Sequence, residues 1–188
     1  MAKSPDEKHR PVTQNGPYCT YHGGVRNPAS IDWIVIHDAE GASAKGIASY
    51  GASGNAQASW HFACDNDNLI RCLADDVIAW HAYSPANQIG LAIELAGYAS
   101  WSKLTWFRHQ ATLKRAAWQV ARWAVKYNIP ARILTKRQLK AQLAGITFHV
   151  DITKGLGVGS HTDPGPNFPR GYFMFLVRRR IKWIKAGK

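Results

Sequence analysis

Residues Ile31–His37, IDWIVIH, form an apolar, largely β-branched run set between Pro28 and Gly41. A continuous apolar run of this length, bounded by breakers, reads as a strand buried on both faces. It ends in a histidine. A polar side chain at the carboxyl end of a core strand opens into the crevice above a sheet, where sites form, although a lone histidine there is also compatible with a structural role. Ile89–Leu95, IGLAIEL, is a second such run, with Glu94 inside it. A carboxylate in a buried strand is costly unless it has a partner or a task. Ile146–His149 is a third short strand and again ends in histidine.

Ser59–Cys64 and Leu69–Leu73 read as a hairpin around the Asp65–Asn68 turn, with Val77–Trp80 as a further short strand. Helices fall between these strands. A short one is expected at Ala44–Tyr50. A long one is expected at Trp106–Asn128, where Leu113, Ala117, Val120, Ala124 and Tyr127 make one face and Arg108, Arg115, Arg122 and Lys126 another. Thr135 is placed to cap a helix running through Gln142, and Tyr172–Lys185 forms a basic last helix. Strands interspersed with helices, one hairpin among them, predict an α/β domain with a mixed central β-sheet flanked by helices. Residues 1–30 carry four prolines and read as an N-terminal arm, leaving 31–188 as the domain.

Thr147–Pro169, TFHVDITKGLGVGSHTDPGPNFP, carries His149, His161 and Asp163 in a segment whose glycines and prolines predict a shaped loop. Such a cluster points to metal binding or catalysis, with a merely solvated turn as the alternative. If the strands ending at His37 and His149 are neighbours, the loop brings Asp163 back to both. Two neutral imidazoles and one carboxylate leave a fourth position open on zinc, as a catalytic site requires.

Composition bounds the rest. The 188 residues are 46% hydrophobic with eight tryptophans, and no apolar run reaches the length of a membrane span. The start, MAKSPDEKHR, is charged and has no apolar stretch, so the expectation is synthesis in a cytoplasm without a signal peptide, or a piece cut from a larger chain. Three cysteines, Cys19, Cys64 and Cys72, are an odd count that suggests thiols, and the hairpin register would set Cys64 opposite Leu69 or Ile70, not Cys72. The net charge of +12 is lopsided: residues 1–94 hold six Lys/Arg against ten Asp/Glu, and residues 95–188 hold eighteen against two. That pattern suits a polyanion such as nucleic acid, an anionic membrane or an acidic wall polymer, or simply a solubilising surface.

Four motifs in order, IVIHDAEG, ASWHF…DNDN…AWHA, IGLAIELAG and FHVDIT…SHTDPGPNFP, make residues 32–168 resemble the zinc-dependent N-acetylmuramoyl-L-alanine amidases, the type-2 amidase and peptidoglycan-recognition superfamily. The resemblance implies a zinc groove on one face of a mixed sheet, with His37, His149 and Asp163 as ligands and Glu94 handling the catalytic water. It implies cleavage of the amide between N-acetylmuramic acid and L-alanine in bacterial peptidoglycan. A non-catalytic peptidoglycan-binding module and a zinc peptidase acting within the stem peptide are the alternatives. His161 stands where relatives often carry an oxyanion-stabilising lysine, and Trp60 stands where some carry a tyrosine. Trp60 reads as groove wall or core, and His61 and His81 as structural or groove-lining; all three are candidate substrate-binding residues. The expected source is a phage endolysin, released from the host cytoplasm onto the wall, with a cytosolic muropeptide-recycling amidase as the competing origin. Its basic C-terminal half would meet anionic wall polymers, and no nucleic acid partner is expected.

Overall fold

A computed structural model describes residues 11–187. Six strands form one sheet in the order β1-β4-β3-β5-β2-β6. They are β1 (Thr13–Asn15), β2 (Trp33–Asp38), β3 (Phe62–Cys64), β4 (Leu69–Arg71), β5 (Gly90–Leu95) and β6 (Gly145–Phe148). Among the strand pairs of the described residues, only the β3–β4 hairpin is antiparallel, with Cys64 opposite Leu69, and all three cysteines are free. The expected mixed sheet is present. Every residue of β2, β5 and β6 is buried, which is why these strands read as unbroken apolar runs and not as alternating ones.

Side chains alternate across the sheet. Ile34, Ile36, Leu91 and Ile93 face one side and pack against α4 (Gln110–Lys126) and α7 (Arg170–Lys185), through Leu113, Ala117, Val120, Ala124, Phe173, Leu176 and Val177. Burying each such aliphatic side chain contributes roughly 1.5–3 kcal/mol. On the other face, Ala63 and Ala92 pack against α1 (Ala44–Ala52), and Trp33 and Val35 pack against Ala82, Leu139 and Ile152. Ser43 caps α1 by accepting from Gly46 N, and Thr135 with Gln138 makes a capping box for α5 (Lys136–Lys140).

Several expectations are corrected. The helix expected at Trp106–Asn128 is two helices, α3 (Lys103–Arg108) and α4, broken at His109. Asn66 causes the break from across the chain: its Oδ1 accepts from Thr112 N and Oγ1, and its amide meets His109 Nδ1 at 3.2 Å while Trp101 stacks on the His109 ring. Val77–Trp80 is not a strand; Val77 makes one isolated bridge to Val25. A short helix not expected from the sequence, α2 (Ala86–Ile89), precedes β5, and α5 ends at Lys140, short of Gln142. Thr147–Pro169 is not one loop, since α6 (His149–Ile152) and a π-helical turn (Thr153–Gly157) occupy its first half. Gly155 sits in that turn because a Cβ there would come within 2.9 Å of Leu139.

The described part of the arm, residues 11–30, lies on the body; residues 1–10 lie outside the described residues. β1 extends the sheet beside β4, Cys19 is buried, and the buried Arg26 donates to the carbonyls of Asp75, Asn87, Gln88 and Gly90. Part of the basic face is also used within the molecule. Arg115 donates to Asn66 O, Arg122 to Pro11 O, and Lys126 to Asp75. Among the described residues, no helix is long and apolar enough to cross a membrane.

Candidate active site

Parallel pairing builds the site at the carboxyl ends of three adjacent strands, β5, β2 and β6. His37 is in direct register with Glu94, so both side chains emerge on the same face. His149 follows β6 at once as the first residue of α6. Asp163 is returned to it by a backbone bond, Val150 N–H to Asp163 O at 2.9 Å, and by a turn closed by Gly165 N–H on Thr162 O.

The carboxylate of Asp163 bridges two imidazoles. Its Oδ2 is 3.1 Å from His37 Nδ1 and its Oδ1 is 3.1 Å from His149 Nδ1. One ligand atom from each of the three residues lies within 4.8 Å of the others. Burial pushes the Asp163 carboxyl up, but the two imidazoles outweigh it and hold it below its ordinary value. Burial pushes His149 down, toward the neutral form that offers a lone pair. One carboxylate and two imidazoles are the donor types zinc takes.

Glu94 Oε1 lies 3.8 Å from His37 Nδ1, and its Oε2 is buried without a hydrogen-bond partner among the described residues. Burial, then the carboxylates of Asp163 and Asp38, push Glu94 well above its ordinary value. His161 sits at the rim with its side chain 49% exposed, stacked on His149 at 3.9 Å between ring centroids, and its Nδ1 is 3.6 Å from Asp163 Oδ1. Burial, then the neighbouring His149, lower its pKa, while Asp163 raises it.

These groups open into a groove of about 970 Å³ walled by Trp60, Tyr50, Ile47 and the Asp38–Ser43 segment. Trp60 and His81 line it. His61 does not, and its assignment as substrate-binding is corrected. Its ring is fully buried, Nδ1 accepts from Ala92 N at 3.0 Å, and Nε2 lies 3.0 Å from Val77 O, so it ties β5 to the segment after β4. Asp38 was missed. It follows His37 directly, lines the groove, and is pushed by burial up to about 7, with Oδ2 unpartnered. The acid run after the strand, Asp38 and Glu40, was its signal in the sequence.

A family model described as N-acetylmuramoyl-L-alanine amidase matches residues 27–166. The chain is similar to the N-acetylmuramoyl-L-alanine amidase CwlA of Bacillus subtilis, 29% identical over 128 residues that cover 58% of this chain and 47% of that protein. The matched stretch therefore spans less than half of that relative. Among solved structures it is similar to the hydrolase AmiA of Staphylococcus aureus in complex with its ligand, with TM-score 0.75 and 18% identity, covering 100% of this chain and 95% of that one. A mutant endolysin from Bacillus subtilis aligns with TM-score 0.58 and 16% identity, over 89% and 99% of the two chains. At these identities the two structures speak for the fold.

Proposed function

The chain belongs to the N-acetylmuramoyl-L-alanine amidase family, and from that premise we propose that it hydrolyses the amide joining the lactyl group of N-acetylmuramic acid to L-alanine in bacterial peptidoglycan. His37, His149 and Asp163 would hold zinc, which when bound polarises the amide carbonyl and acidifies water. Glu94 takes the proton of the attacking water and returns it to the departing amine. A carboxylate raised by burial is a stronger base once ionised than a solvated one, which suits that double task. His161 donates to the developing oxyanion from the rim, and Trp60 shapes the groove that holds the substrate.

The single observation that carries this reading is the Glu94 carboxylate 3.8 Å from the ligand imidazole His37, with its second oxygen unpartnered. A buried acid in that position has no structural duty among the described residues that would account for it. Residues 31–188 are the catalytic domain in this reading, with 11–30 laid against it. The exposed Lys136, Arg137 and Lys140 of α5 and Arg178 and Lys182 of α7 would meet anionic wall polymers. A phage endolysin reaching the wall from the host cytoplasm is the source we favour.

Digesting purified peptidoglycan and identifying the new ends by mass spectrometry tests the reaction. A free L-alanine amine with intact glycan is expected. New ends within the stem peptide would replace the amidase by a peptidase, and zinc binding without any product would replace it by a binding module.

A further inference from the structure

His37 presents its two ring nitrogens to different surroundings. Nδ1 faces the cluster, 3.1 Å from Asp163 Oδ2. Nε2 points away and lies 3.1 Å from Nδ1 of His81, the two rings meeting edge to face at 5.2 Å between centroids. An imidazole that offers its lone pair at Nδ1 must carry its proton on Nε2 when neutral. That N–H then donates to His81 Nδ1, so His81 accepts there and keeps its own proton on Nε2.

The segment around His81 is built to hold it in place. Asn87 Oδ1 accepts from both His81 N, at 2.9 Å, and Ala82 N, at 2.8 Å. Arg26 pins the far end of the same loop through the carbonyls of Asn87, Gln88 and Gly90. At Gly90 a Cβ would collide with the Ala86 carbonyl and also come within 3.3 Å of the His81 ring, so the backbone of β5 runs close under both. The other ligand imidazole has no such support: His149 Nε2 is buried without a hydrogen-bond partner among the described residues, and its ring is held by stacking on His161.

We propose that His81 is a positioning residue that fixes the tautomer and orientation of His37 for metal binding, not a residue that touches the substrate. This rests on the reading of His37, His149 and Asp163 as zinc ligands. Outer partners of this kind typically carry about 10- to 100-fold in metal affinity.

Zinc affinity, measured by chelator competition on the whole chain, tests it with His81→Ala and His81→Asn. Asparagine sets its Oδ1 close to where Nδ1 accepts, so H81N is expected to hold zinc within about threefold of the wild type, while H81A loses about 10- to 100-fold. The thermal midpoints of the two metal-free variants are expected to be alike. Equal affinity of H81A and wild type overturns the inference and leaves the ligand assignment standing; equal loss in both variants also overturns it. A wild-type chain that binds no zinc overturns the ligand assignment and the inference together. A readout that needs no variant is the ¹⁵N–¹⁵N coupling across the hydrogen bond in the zinc-loaded protein. Coupling between His37 Nε2 and His81 Nδ1 is expected, and a His37 Nε2 proton in free exchange with water would overturn the proposal.

Discussion

His37 and Glu94 sit directly opposite each other on the paired strands β2 and β5, and their side chains meet at 3.8 Å between Nδ1 and Oε1. The separation is set by sheet register and not by a loop, so it is held by two strands buried along their whole length. Replacing Glu94 should therefore leave the ligands where they are. Glu94→Gln and Glu94→Ala are expected to bind zinc as the wild type does and to lose about 10²- to 10⁴-fold in kcat. Zinc titration beside turnover on muropeptides checks this; full activity in either variant removes Glu94 as the base.

Asp163 bridges both imidazoles, so its loss should reach the metal and not only the chemistry. Asp163→Asn keeps the shape but removes the charge that neutral ligands cannot replace. Chelation of the wild type is expected to abolish turnover, and zinc to restore it. Asp163→Asn is expected to need far more zinc for any recovery, and recovery at the wild-type zinc concentration would count against the ligand assignment.

His161 lies at the half-exposed rim, stacked on His149, with Nδ1 3.6 Å from Asp163 Oδ1. His161→Ala is expected to cost about a hundredfold in kcat, as removing one oxyanion donor does, with KM little changed. Zinc affinity should stay near that of the wild type. A rise in KM at constant kcat would move His161 from oxyanion stabilisation to substrate binding.

The strands of the site were legible because burial on both faces leaves long apolar runs, and the polar residues that interrupt them, His37 and Glu94, stand out for that reason. The break at His109 was not legible: the helical period runs on through it, and the partners that meet it there are Asn66, distant in sequence, and the ring of Trp101. Glycine content made Thr147–Pro169 look like a loop, yet Gly155 serves a helical turn that must approach Leu139 closely. His61 and His81 each follow a tryptophan, and nothing local separates them. Pairing of β3 with β5 turns the first into the core, while the loop before α2 turns the second to His37.

His61 makes the pH dependence of stability specific. Burial, then Arg26, push its pKa from 6.5 down to about 3. As pH falls below 6.5 the unfolded chain takes up a proton that the folded protein refuses until about pH 3. The stabilisation is thus present above pH 6.5 and is lost as pH falls toward 3, on the order of a few kcal/mol over the window. His61→Gln should be less stable at neutral pH but show a shallower fall across that window in urea titrations; an unchanged slope would exclude His61 as its source.

Gly165 holds the return of Asp163 through its backbone alone. It adopts φ +81°, in the left-handed region, and a Cβ there would collide with the carbonyl of Ala99. A side chain therefore meets both a conformational penalty of about 1–3 kcal/mol and a clash with backbone that cannot rotate away. The chain can relieve the clash only by moving the Thr162–Gly165 turn, and Asp163 lies inside that turn. Gly165→Ala is expected to lower both the thermal midpoint and the affinity for zinc. Gly171→Ala, where a Cβ meets nothing within 4 Å at the start of α7, should leave zinc affinity unchanged and stability equal or slightly raised. Thermal unfolding and zinc competition on the pair separate the two effects, and a Gly165→Ala variant with wild-type zinc affinity would show that the turn does not govern the position of Asp163.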